Sequence, residues 1–222
     1  MRTLKLLAAL LSYPTAELVA TLPEIAERLG EDSALRRATQ DGLAGLLAEL
    51  KRDDLLDLQE RYVAQFDTGR STSLHLFEHV HGDSRDRGQA MVDLNALYRR
   101  SGFALAANEL PDFLPAVLEY LANRTAEEAH ELLQDCAHIL RAVGERLIGG
   151  GSPYAAVFAA LLDLHGAAPL KAAKREASAK LSLDEEWDEL PVEFGPPSLS
   201  NSATLHGAQQ SRPQFIRFVP KR

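Results

Sequence analysis

Two short polar clusters hold most of the groups in this chain that could do chemistry. Phe77-Glu78-His79-Val80-His81 sets a carboxylate beside paired imidazoles, with His75 four residues ahead of His79, and Gly82-Asp83-Ser84-Arg85-Asp86-Arg87-Gly88 follows at once. Further on, Glu109-Leu110-Pro111-Asp112-Phe113 repeats the mixture of acid, proline and aromatic side chain. Histidine with a carboxylate is zinc-binding chemistry. The HExxH order is absent, however, and His79 and His81, two positions apart, cannot face one ion from a helix. Hydrogen-bonded or cleft-lining histidines are the plainer reading. Hydrolysis would need a nucleophile beside a base, yet Ser73 and Ser84 lie in no GxSxG and no strand-turn-helix context. Gly149-Gly150-Gly151 lacks the Lys-Ser/Thr of a phosphate loop and reads as a connection. Cys136, mid-helix among apolar residues, reads as a buried inert thiol. On motifs, then, the chain is no enzyme. Asp83 and Asp86 suit a helix N-terminus, as do Pro111 and Asp112 in a first turn, so structure alone accounts for both clusters as readily as a binding site does.

The elements that must position these clusters are helical. Leu4, Leu7, Leu10 and Leu11 recur at helical spacing up to Pro14, and Thr15 caps a second helix stopped by Gly30, which Pro23 bends or divides. A third helix is expected from near Ser33 to Leu50 and a fourth from about Asp54 to Phe66. A short one spans Leu74 to Val80, Ser84 caps another from Arg85 to about Ser101, and Pro111 opens the next. Thr125 with Glu128 matches a capping box for a helix over Ala126 to Ile148, and Pro153 to His165 forms one more. No segment alternates with period two, so the fold class is all-α, a single-domain multi-helix bundle. The helical domain is expected over 1–181, with a tail over 182–222, acidic then Pro/Ser-rich and partly disordered.

At 222 residues the chain can bury a proper core, and its formal charge of −8 argues against nucleic acid or anionic membrane as partner. One cysteine excludes an internal disulfide and multi-cysteine metal sites, and suits the cytoplasm. The start, MRTLKLLAALLSYPTAEL, has an apolar run too short for a membrane span and is read as a first core helix.

The run SLHLFEHVHGDSRDRGQAMVDL followed by GFALAANELPDFLPAVLEYLA resembles the respiratory nitrate reductase assembly chaperones, the delta subunit type, within the redox-enzyme maturation chaperones of molybdenum enzymes. The likeness is strong from Tyr62 to Ala122 and looser from Leu4 to His165, and Glu186-Trp187 to Phe194 is similar to the acidic, Trp-containing stretch of these proteins. It implies an all-helical cytoplasmic chaperone, absent from the finished enzyme and free of any permanently bound cofactor. Such a chaperone binds the N-terminal leader of the apo catalytic alpha subunit until the molybdenum cofactor, a bis-molybdopterin guanine dinucleotide, is inserted. It then engages the alpha–beta complex transiently as that complex joins its membrane gamma subunit. The family's Glu-x-Pro-Asp motif falls on Glu109, Pro111 and Asp112, with Phe113 where some relatives carry His. If the leader is a helix with apolar and basic residues, it needs an apolar groove with an acidic edge. The expected groove is walled by Leu76, Phe77, Tyr98, Phe113 and Tyr120. Glu78, Asp83, Asp86, Glu109 and Asp112 are expected to face the basic end of the leader, with His79, His81, Arg85, Arg87 and Pro111 alongside.

Overall fold

The computed structural model describes residues 2–81, 85–105 and 109–171. The all-α expectation holds there: the described residues form α1 (Arg2–Leu10), α2 (Ala16–Gly30), α3 (Arg37–Arg52), α4 (Leu55–Phe66), α5 (Leu76–His81), α6 (Arg85–Arg100), α7 (Leu114–Ala122), α8 (Ala126–Gly149) and α9 (Ala155–Leu164). The expected domain boundary at 181 and the tail over 182–222 lie outside the described residues, as does Ser84.

Helices that are apolar all round end up in the middle. In α7 Leu114 to Leu118 are buried without a break, followed by Tyr120, Leu121 and Ala122. In α9 the buried set runs through Val157, Phe158, Leu161 and Leu162. The spacing of Leu4, Leu7 and Leu10 lays α1 between these two, and each of the three leucines is 0% exposed. Around them α2, α3, α4 and α8 turn one apolar stripe inward, as their 3.6-residue periodicity requires. Tyr62 seals the end of α1 by donating its hydroxyl to the Leu11 carbonyl at 2.7 Å.

Local signals set most boundaries. The Thr15 side chain accepts the Leu18 N–H, and Thr125 and Glu128 form the full capping box of α8. Gly102 and Gly166, both at φ 74, turn the chain after α6 and α9 in the left-handed region that glycine enters without strain. Pro23 sits inside an undivided α2. Two helix starts depart from expectation by three residues or more. Helix α3 starts at Arg37 rather than near Ser33, because the Asp32 side chain takes the Ala34 N–H into a turn. The cap it then lacks comes from α9: buried Asp163 accepts the Arg36 N–H at 2.8 Å and its guanidinium at 2.6 Å. Helix α7 starts at Leu114, so Pro111 and Asp112 are not first-turn residues; they are used elsewhere.

Candidate functional site

Helix α5 has only six residues, too few to nucleate alone, so its N-terminal donors need partners from outside. They come from the second polar cluster. Leu76 N–H donates to the Asp112 carbonyl at 3.0 Å, and Leu114 N–H returns to the Leu74 carbonyl at 2.8 Å. These bonds form an isolated antiparallel bridge between His75 and Phe113. The Asp112 carboxylate accepts the Phe77 N–H at 3.1 Å across a separation of 35 residues. Asp112 thus caps α5 from a distance, by charge and geometry together. The two clusters picked out in the sequence are one structure.

Asp112 is 0% exposed, so its charge needs compensation. His75 Nδ1 lies 3.2 Å from one carboxylate oxygen and donates to it. Arg87 Nη2 lies 4.0 Å from the other and 3.1 Å from Glu78. The hydrogen bond to Asp112, opposed by burial and helped by the charges of Asp112 and Glu78, raises the His75 pKa above the ordinary imidazole value. Burial pushes the Glu78 carboxyl up, but a Ser73 hydrogen bond and Arg87 outweigh it and hold it below the usual range. The opposite side of the segment is held by Tyr98, whose buried hydroxyl donates to the Pro111 carbonyl at 2.8 Å. Burial drives that phenol strongly upward, so it stays a donor. Tyr98 stacks on Tyr120 with ring centroids 4.8 Å apart, and Arg124 lies over the Tyr120 ring.

The histidines diverge. His75 serves Asp112, His79 Nε2 donates to the Ser73 carbonyl at 2.9 Å, and His81 lies edge-on to Phe77. Among the described residues no group of three or more His, Cys, Asp or Glu is placed to hold a metal. Cys136 is buried, and desolvation pushes its thiol up to about 12, which removes it as a nucleophile.

The residues expected to wall a groove divide by burial. Leu76, Phe77, Tyr98 and Tyr120 are 0–4% exposed and belong to the core. Each lies on the inward face of its own helix, so none of them is a surface contact. Asp112 and Pro111 are likewise buried, so Asp112 is a cap and counter-ion instead of a rim carboxylate. Phe113 keeps a half-buried face and packs on the His75 ring. Glu78, His79, His81 and Arg87 are half-buried, while Asp86 and Glu109 are exposed. Asp83 and the Arg85 side chain lie outside the described residues. Beside this assembly opens a polar cleft of about 320 Å³, lined by Phe66, Asp67, Thr68, Arg70, Ser73, His75 and Glu78, with Gly69 at its lip. Sequence reasoning missed Ser73 as a site residue; its place in a polar loop just before Leu74 was the available signal. It also left Leu110 aside, a side chain 47% exposed directly before the buried Pro111.

The same stretch lies inside a recognisable family. Residues 29–160 match the family model described as nitrate reductase delta subunit. The chain belongs to that family. It is similar to the nitrate reductase molybdenum cofactor assembly chaperone NarJ of Escherichia coli (strain K12), 43% identical over 198 residues, covering 86% of this chain and 84% of that protein. The probable chaperone NarW of the same strain is 39% identical over 203 residues, 87% and 84% of the two chains. The probable chaperone NarJ of Bacillus subtilis (strain 168) is 31% identical over 160 residues, 72% and 86%. In this delta subunit family member, Pro111 and Asp112 of the Glu-x-Pro-Asp motif hold α5, α6 and α7 together, leaving Glu109 at the surface. No described helix is long and apolar enough to cross a membrane.

Proposed function

We propose that this delta subunit family member is an assembly chaperone for a nitrate reductase, binding the apo catalytic subunit while its molybdenum cofactor is inserted, and turning over no substrate itself. The observation that carries this reading is the 43% identity to the E. coli assembly chaperone across 86% of this chain. The chemistry is compatible with it: Asp112 and His79 hold backbone and His75 holds Asp112, while Asp86 and Glu109 stay exposed at the surface, and the cofactor is cargo of the client. The client contact is the N-terminal leader of the alpha subunit, met in the cytoplasm, and the alpha–beta complex is engaged transiently before it joins the gamma subunit.

In this proposal the leader's apolar residues lie against Phe113 and Leu110, and its basic residues meet Glu78, Asp86 and Glu109. Exposed charge pairs contribute only about 0.2–1 kcal/mol each, so the acids orient the leader and speed encounter, while apolar burial carries affinity. The experiment is capture of the apo alpha subunit by the full-length chain, with and without the leader. Retention only when the leader is present supports the reading; equal retention without it removes the leader as the contact. Glu109→Lys then tests the edge, with an expected loss of affinity of about threefold or more and an unchanged melting temperature, because Glu109 is exposed.

A further inference from the structure

The last described residues cross back over α8 as an extended segment, and the body grips them by their main chain. Arg141 Nη1 donates to the Pro169 carbonyl at 3.0 Å and Nη2 to the Ala168 carbonyl at 2.6 Å. Arg36, already paired with Asp163, sends its other amino group to the Ala167 carbonyl. Two guanidiniums therefore read three consecutive carbonyls. Then Leu170 drops onto α8 at Gly144. A Cβ built at Gly144 would meet the Leu170 methyl carbons at 2.8 and 2.9 Å and Phe158 Cβ at 3.0 Å. Glycine inside a 24-residue helix is less favourable than alanine. Here the missing side chain makes the hollow that Leu170 fills.

We propose that residues 167–170 are a releasable clasp. The groove at Gly144 is a docking site for an extended segment with one leucine anchor, and its resident occupant is this chain's own Ala167-Ala168-Pro169-Leu170. Its grip is of a kind that opens at small cost. The Arg36 side chain is 41% exposed and that of Arg141 29%, so water can replace both sets of bonds, and Leu170 is only half-buried. Closed, the clasp covers the hollow and fixes where the chain after Lys171 leaves the body. Open, it uncovers an apolar pit flanked by Arg141.

Trypsin cleavage after Lys171, in the full-length chain and timed by mass spectrometry, tests this. Leu170→Ala and Arg141→Gln each raise the cleavage rate at Lys171 about tenfold, while cleavage at Lys51 and Arg100 and the melting temperature stay as in the parent. Gly144→Ala is the discriminating variant. Its Cβ expels Leu170 and cleavage at Lys171 rises; because that Cβ also meets Phe158 Cβ at 3.0 Å, the result is read beside Leu170→Ala, which leaves the contact between α8 and α9 untouched. The proposal fails if Lys171 cleavage is unchanged in Leu170→Ala and Gly144→Ala. It fails equally if, in Leu170→Ala or Arg141→Gln, the rise is matched at Lys51 and Arg100 with a lower melting temperature, which would make the segment part of the cooperative core.

Discussion

Replacing Asp112 probes the assembly at its centre. Asp112→Ala removes a fully buried carboxylate that accepts the Phe77 N–H and His75 Nδ1 and faces Arg87 at 4.0 Å. Deleting one partner of a buried charge pair costs about 3–5 kcal/mol, since the other charge is stranded. For a chain of this size each kcal/mol lowers Tm by about 2–4 °C, which gives a fall of about 6–20 °C by far-UV circular dichroism. Asp112→Asn keeps an acceptor for Phe77 and loses only the charge, so about 1.5–3 kcal/mol is expected. The pH dependence separates this mechanism from mere loss of packing. His75 has a folded pKa above its unfolded value, so its contribution is complete below about pH 6.5 and is lost as pH rises through the folded pKa. The groups facing His75 are Asp112, Glu78 and Arg87, and only Asp112 hydrogen-bonds to its ring. The difference between parent and Asp112→Asn is therefore larger at pH 6 than at pH 9. Asp112→Ala within 0.5 kcal/mol of the parent (about the scatter of neutral surface changes) would refute the capping and counter-ion role. So would a penalty identical at both pH values, for the counter-ion part.

Three further outcomes follow from the same geometry. Tyr98→Phe loses the buried bond to the Pro111 carbonyl, and denaturant titration is expected to register about 1–3 kcal/mol with little change in m. Asp163→Ala removes the remote acceptor of the Arg36 N–H ahead of α3, while the half-exposed Arg36 guanidinium turns to water, so about 0.5–2 kcal/mol is lost in the same titration; no measurable loss would show that α3 starts without remote help. Cys136, its thiol pushed to about 12 by burial, reacts with a maleimide at pH 8 only when denaturant is added; prompt labelling of the native protein would contradict its burial.

How much of this was legible in the sequence divides by range. Features set by neighbours were: the Thr15 cap, the Thr125–Glu128 box, and the leucine spacing that makes α1 a core helix. Features set by remote partners were not. Nothing local to Ser33 says that Asp163 will cap α3 four residues later. The Pro111-Asp112 pair looks like a helix start because proline and aspartate serve that purpose equally well when no strand-like partner competes. Here Leu74 and Leu76 compete and win. The aromatic residues failed for a different reason. Periodicity tells which face of α6 or α7 is apolar, but a core face and a binding face have the same pattern, and Tyr98 and Tyr120 lie on core faces. The importance of Glu-x-Pro-Asp was legible; its job as a brace was not.

As the proposed assembly chaperone, this chain loads another protein and does no chemistry of its own. The most direct measurement is molybdenum per alpha subunit in nitrate reductase purified from cells lacking the chain and from cells resupplied with it. Low molybdenum without the chain, restored by the parent and by a Cys136→Ser variant alike, is the predicted result. Full molybdenum loading in the cells that lack it would contradict the account.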